Sequence, residues 1–343
     1  MGFQKGILSI IFVLLVLFLL GTYWMGFVGP GEIELSPKDD QASNFSLENK
    51  SNLEESPEDK ENGSTRLNQT QTSKDLQTDF RVSQSDEFLF YENLRYKDKE
   101  ISYQISAECT LGKKEDALNA FQILENKTVL DFYEVSEKPE ILIACQSTKK
   151  PEGNTFVAGE GGPVNITQSG QFNVIHYGEV LLIEESKKSC PKPNVAIHEI
   201  LHALGFKHSS NENNIMYDTS KCDQEIGEDI PKLLEKLYEI PAQPDLVLED
   251  VNTKTHGRYL DFNASIKNHG LSEAREFSMK VYTDETLLKE NEIGALKIGY
   301  GTKLISKNIK FESTNFEELK FELESDYQEL NKENNKVVFK QDN

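Results

Sequence analysis

Most of the chemistry legible in this chain lies in one short run, His198-Glu199-Ile200-Leu201-His202-Ala203-Leu204-Gly205-Phe206-Lys207-His208. On a helix, His198 and His202 project from the same face one turn apart, so both imidazoles reach one metal ion. Gly205 stands where such a helix stops. A glycine takes the left-handed conformation that turns the chain back, which lets His208 supply a third imidazole. Neutral imidazoles suit Zn2+, and three protein ligands leave one tetrahedral position for water, whose pKa falls to about 7 when bound. Glu199, beside the first ligand, is placed to take the proton from that water and pass it to a leaving amine. The pattern reads as metal-assisted hydrolysis of a peptide bond. The rival reading is a degenerate scaffold, or histidines on a solvated helix.

The elements that must position these groups are written around them. Pro191-Lys192-Pro193-Asn194 signals a helix start with Asn194 as cap, and Val195, Ala196, Ile197, Ile200, Leu201 and Leu204 supply an apolar face. A helix is expected over 195–204. Eight residues beyond His208 stands Met216, within Asn214-Ile215-Met216-Tyr217.

These two stretches together resemble the metzincin metallopeptidases, and Ala203-Leu204-Gly205-Phe206 with Ile215-Met216-Tyr217 is similar to the matrixin branch. The resemblance implies a zinc endopeptidase with His198, His202 and His208 as metal ligands, Glu199 as general base and Met216 as a non-ligating support in a tight turn beneath the metal. It implies Zn2+ as cofactor and polypeptide as substrate. Departures from the family pattern are visible too. Ser209-Ser210-Asn211 follows His208 without the aspartate common in matrixins, Asp218 follows Tyr217 where a proline is usual, and no cysteine precedes Cys109 to form a cysteine switch. Calcium and a second zinc site are left without supporting residues, and Tyr217 is not assigned as a ligand.

Around the motif, 100–105, 129–135 and 141–145 read as strands and 113–126 as a helix with Ala117, Leu118, Phe121 and Leu124 inward. Val174-Ile175 and Val180 to Ile183 read as a hairpin turning at Tyr177-Gly178, with His176 a surface histidine. Metzincins lay substrate along an exposed edge strand, and Gly159 to Ile166 is the candidate for the neighbourhood of that strand, or else a plain loop. Ile230 to Ile240 reads as a closing helix. After Pro241-Ala242-Gln243-Pro244 come short strand-like runs at 246–248, 260–266, 277–282, 305–311, 319–323 and 337–339, the rhythm of a β-sandwich. Pro244-Asp245-Leu246-Val247, Asn268-His269-Gly270 and Glu333-Asn334-Asn335 resemble the CARDB type of immunoglobulin-like domain. That resemblance implies an adhesion or spacer module able to meet a surface partner, with His256 and His269 in exposed loops or turns and the acidic positions near Asp326 on a solvated face.

The expected fold class is α+β: a metzincin-like catalytic domain with a twisted mixed sheet and an active-site helix over 86–240, then an all-β immunoglobulin-like sandwich over 244–343. Before them, Ile7 to Val28 carries no charged residue, and about 20 apolar residues span the bilayer core, so 1–29 is expected to be an N-terminal transmembrane helix. Lys5 on its N-terminal side places the N-terminus in the cytoplasm and both domains outside, in a single-pass arrangement. A cleaved signal peptide is the alternative, though no small-x-small site follows. Residues 30–85 are polar with no sustained period and are expected to be a disordered stalk. Sequons fall at Asn44, Asn49, Asn62 and Asn68, and again at Asn126, Asn165 and Asn263.

Cys109, Cys145, Cys190 and Cys222 all follow the apolar run, in a compartment where an even count points to disulfides. Three connectivities exist; Cys190–Cys222 with Cys109–Cys145 is favoured, against free thiols. The net charge of −21 argues against nucleic acid as a partner. The stalk holds 12 acidic and 6 basic residues, or −6, so most of the charge belongs to the two domains. Two classes of function fit: a membrane-anchored extracytoplasmic zinc endopeptidase, or a cell-surface binding protein built on a structural metzincin scaffold. Retention of Glu199 favours the enzyme, since a structural metal site has no use for a base.

Overall fold

The computed structural model describes residues 67–71, 80, 82, 85–147, 157–184 and 190–341. The expected membrane span and the sequons Asn44, Asn49 and Asn62 lie outside the described residues, as does most of the expected stalk. Among the described residues no helix is long and apolar enough to cross a membrane.

In chain order the first domain follows a strand β1 (Leu67–Gln71) and contains α1 (Ser85–Phe88), β2 (Leu94–Tyr96), β3 (Glu100–Ile105), α2 (Leu111–Lys127), β4 (Asp131–Glu134) and β5 (Ile141–Gln146). It continues with β6 (Gly159–Ser169), β7 (Phe172–Ile183), α3 (Asn194–Ala203) and α4 (Asp229–Tyr238). Strands β4, β3, β5 and β7 lie side by side in parallel, and β2 joins β7 in parallel at its start. Strand β6 runs antiparallel on the other side of β7. Parallel strands buried by helices need apolar side chains, and Ile101, Ile141, Ile143, Val180 and Leu182 meet Phe121, Leu124, Ile200 and Leu201 in one core. In α2 the buried face is Ala117, Ala120, Phe121 and Leu124, while Leu118 turns outward. Cys109 is bonded to Cys145, which ties the start of α2 to the end of β5.

The hairpin expected at Tyr177-Gly178 is absent: β7 runs unbroken from Phe172 to Ile183, and the chain turns earlier, at Gly170 with φ 56°. The reason is pairing on both sides. Strand β6 borders β7 along one side, and β2 then β5 border the other, so a continuous ladder overrides the local glycine signal.

Strand β2 escaped sequence detection because it has only three residues, yet it holds two helix ends. The buried Arg95 donates to the carbonyls of Leu237 and Ile240 at the end of α4 and to those of Tyr96 and Lys97, and its guanidinium lies 4.1 Å from the Tyr238 ring centroid. Next to it, the buried Tyr96 hydroxyl lies 3.2 Å from the Ala203 carbonyl at the end of α3. Main-chain carbonyls left over at helix C-termini are thus satisfied by side chains.

The second domain has β8 (Leu246–His256), β9 (Tyr259–Asn268), β10 (Phe277–Thr283), β11 (Thr286–Ile293), β12 (Gly301–Lys310), β13 (Glu318–Glu324) and β14 (Lys336–Gln341). They form two sheets, β12-β9-β8 and β1-β14-β13-β10-β11, over a core that includes Leu248, Phe262, Ile266, Met279, Val281, Phe321 and Phe339. Strand β11 was not foreseen, since its mostly exposed side chains give no burial pattern and backbone pairing to β10 alone defines it. Strand β1 was not foreseen either, and pairing to β14 defines it. Leu67–Gln71, expected to be part of a disordered stalk, adds to the sandwich edge with Leu67 opposite Gln341 and Gln69 opposite Phe339.

The β6–β7 turn docks on this sandwich. The Ser169 hydroxyl lies 2.7 Å from the Gly270 carbonyl and 3.1 Å from that of Asn268, and Phe172, Val174 and Leu271 share a buried apolar cluster with Phe80 and Ile240 beside it.

Candidate functional site

Helix α3 supplies two of the predicted site histidines. It begins at Asn194, one residue before the expected start, and Asn194 does not cap it: that side chain is buried and donates to the Lys221 carbonyl, 2.6 Å away. The helix ends at Ala203, and Gly205, at φ 100°, turns the chain back towards His208. The turn is held from outside. The Phe90 N–H donates to the Gly205 carbonyl at 2.9 Å, and the Lys207 N–H donates to the Phe88 carbonyl at 2.8 Å.

The three imidazoles converge. His202 Nε2 lies 3.0 Å from His198 Nε2 and 3.1 Å from His208 Nε2, and the rings of His198 and His208 both stand steeply to that of His202. The outer nitrogens of the two helical imidazoles are spoken for. His198 Nδ1 lies 2.7 Å from the Ile215 carbonyl and His202 Nδ1 2.8 Å from the Phe206 carbonyl. A carbonyl only accepts, so each Nδ1 carries the proton and each Nε2 presents a bare lone pair. Acceptors this close repel unless a cation lies between them. For a tetrahedral ion with Zn–N near 2.0–2.1 Å, ligand nitrogens stand about 3.3–3.4 Å apart, so the donor set fits Zn2+ with a shift of a few tenths of an ångström. Among the described residues this is the one group of three His, Cys, Asp or Glu side chains close enough to share an ion.

Burial sets the protonation states. It pushes His198 below the usual histidine value and His202 down to about 3, the latter helped by the neighbouring imidazoles, so both stay neutral and ready to ligate. Glu199, 7% exposed, is raised by burial to about 8.

Strand β6 lies directly over this helix. A Cβ at Gly161 would sit 2.1 Å from the Glu199 carbonyl oxygen, so only a glycine lets the strand come this close. The glycine-rich run is therefore an edge strand beside Glu199 and not a loop. Among the described residues no other strand pairs with its side away from β7.

Met216 is buried, and its carbonyl accepts the Ser209 N–H at 2.8 Å, stitching its turn to the residue after His208. Cys190 is bonded to Cys222, fastening the segment after this turn to the approach of α3. Tyr217 is half-buried, with the Lys221 ammonium 5.6 Å from its ring centroid. His176 is exposed on β7. His256 is also exposed, while His269, expected in the open, is partly buried 3.0 Å from a Glu249 oxygen. Asp326 lies 3.2 Å from Arg275.

Against known families, residues 95–238 match the sequence model of the matrixins. This segment is a matrixin domain. Residues 243–339 match the CARDB family, so the matrixin domain is followed by a CARDB domain. No curated protein matches the chain. The matrixin match carries a metallopeptidase-type function at the level of the family.

One residue of the site was missed. Phe90, 40% exposed, stacks its ring on His202 with centroids 6.1 Å apart. Its signal was the apolar run Phe88-Leu89-Phe90-Tyr91 at the end of a polar segment.

Proposed function

We propose that the matrixin domain is a zinc endopeptidase acting outside the cytoplasm, tethered by the apolar run 7–28. The reading is carried by one observation: three imidazoles with converging Nε2 atoms, two of them held neutral by burial, lie beside a buried glutamate and under a strand whose far side pairs with no other described strand. His198, His202 and His208 would hold the metal. Bound Zn2+ supplies Lewis-acid polarisation of the scissile carbonyl and lowers the pKa of a water molecule.

The rest is work for the chain's own groups. The side of β6 away from β7, which pairs with no other described strand, would offer backbone N–H and C=O groups to an extended polypeptide, lying down as an added strand with its scissile bond near Glu199. Glu199 takes a proton from water and returns it to the leaving amine. Burial alone keeps this carboxyl protonated to about 8, but beside a dication the ionised form is favoured, and that form is a base. Phe90 gives the His202 side of the site an apolar wall. The tether and compartment rest on the uncharged run and on two disulfides, which persist in oxidising surroundings.

The test uses the purified full-length chain. It should contain about one zinc, cleave an unfolded protein, and lose about 10³-fold in kcat in Glu199→Gln while keeping the metal. Zinc binding without cleavage across a broad peptide library would sink the proposal.

A further inference from the structure

Asn214, 5% exposed, lies two residues before Met216. Its Oδ1 accepts the Met216 N–H at 2.9 Å, and its Nδ2 lies 3.3 and 3.5 Å from the carboxylate oxygens of Asp229, the first residue of α4. The Met216 N–H and the Ile215 C=O are the two ends of one peptide unit. That carbonyl is the acceptor 2.7 Å from His198 Nδ1.

Donor and acceptor types fix the direction of every link. A main-chain N–H can only donate, so the Asn214 oxygen faces it and the Asn214 NH2 faces Asp229. A carbonyl can only accept, so His198 Nδ1 holds its proton. The result is a head-to-tail chain: imidazole N–H to peptide 215–216, peptide to the Asn214 amide, amide to the Asp229 carboxylate. Both middle links are conjugated amides, and each polarises the next, so negative charge at one end strengthens the acceptor at the other.

The packing at the junction is specific. A Cβ on Gly227 would lie 2.2 Å from Asp229 Oδ1 and 2.9 Å from Asn214 Nδ2, so the backbone is bare where the two side chains meet. His202 provides the contrast. Its acceptor is the Phe206 carbonyl, and the N–H of that same peptide unit, on Lys207, donates to the neutral Phe88 carbonyl.

We propose that Asp229 and Asn214 are positioning residues that act through the Ile215–Met216 peptide on His198, holding its Nδ1–H tautomer and strengthening Nε2 as a metal donor. The proposal rests on reading the imidazole cluster as a metal centre. Groups of this kind behind a ligating histidine typically change metal affinity by about 10–100-fold.

The test compares wild type, Asp229→Asn and Asn214→Ala in the full chain with 15N-labelled histidine. In metal-free protein, Asp229→Asn should move the His198 Nδ1–H resonance upfield and leave that of His202 in place. Chelator competition should show zinc bound about 10-fold more weakly in Asp229→Asn and towards 100-fold in Asn214→Ala. An unmoved His198 signal, equal movement of His198 and His202, or unchanged zinc affinity overturns the proposal. Asp229→Asn is nearly isosteric, so it decides the matter if Asn214→Ala does not fold. The peptidase reading fails separately. A chain that shows these shifts but cleaves nothing keeps the relay and loses the enzyme, while cleavage with an unmoved His198 does the reverse.

Discussion

In the matrixin domain, two backbone carbonyls aim the buried His198 and His202 so that their Nε2 atoms meet that of the exposed His208. In the CARDB domain, carboxylates pair with donors of the same fold. There the Asn334 amide donates to Asp245 at 3.0 Å, Asn335 donates to Glu329 at 3.1 Å, and Glu329 also accepts the Leu246 N–H at 2.9 Å. Both domains use Asn side chains against carboxylates, with opposite outcomes. In the sandwich these carboxylates already hold donors of the same fold, and the unpartnered Asn334 and Asn335 oxygens do not converge with other acceptors on one point. In the matrixin domain the Nδ1 donors of His198 and His202 are used up on carbonyls, and their Nε2 atoms meet that of His208. Acceptors gathered at one point call for a cation; carboxylates that already hold donors do not.

The largest expected effect tests that contrast directly. A ligand that binds only the folded state adds about 4 kcal/mol at a thousandfold excess over its Kd. Zinc at that excess should raise hydrogen-exchange protection in α3, α4 and β7 and leave β8 to β13 unchanged. Equal gains in both domains would break the comparison.

Next comes the covalent asymmetry, since both disulfides lie in the matrixin domain. Replacing Cys190 and Cys222 by serine opens a loop of 32 residues, worth about 3.7 kcal/mol on the chain-entropy model. The unfolding free energy of the matrixin domain, read from denaturant midpoints, should fall by that amount, and zinc affinity should fall with it because the segment after Met216 loses its anchor. A loss confined to sandwich protection would contradict the assignment.

The smallest effect concerns the paired carboxylates of the sandwich. Burial lifts the Asp245 carboxyl from 3.8 to about 6 despite the hydrogen bond from Asn334. The folded state therefore holds the proton more tightly than the unfolded one. Its contribution is present in full below about pH 4 and is lost as the pH rises to about 6, by about 3 kcal/mol. Asp245→Asn should flatten this window and stabilise the sandwich at pH 7 by up to that amount, read from denaturant midpoints at pH 4, 5, 6 and 7. An unchanged profile would show that Asp245 stays paired and charged.

How much of this was legible in the chain depends on how local each signal is. The helix of His198 and His202 and the turn at Gly205 could be read because each follows from short-range spacing, whereas the disulfide pairing was one favoured choice of three and the strand at Gly159 was suggested by the metzincin resemblance against a plain loop. Strand β2, the docking of Leu67–Gln71 and strand β11 could not, because backbone pairing to distant residues makes them and their side chains carry no pattern. The unbroken β7 failed for the same reason in reverse: a local turn signal lost to two bordering partners.

The sequence by itself determined the chemistry, for a metal site is a matter of residue types at fixed intervals, and eleven residues from His198 to His208 contain them. Only the tertiary structure decided how those residues are aimed. The carbonyls of Ile215 and Phe206, the Asn214–Asp229 contact behind one of them and the Phe88–Phe90 segment beside the other come from separate parts of the chain. Hydrogen bonds fix direction within tenths of an ångström, and no spacing rule encodes partners that meet only once the core has closed.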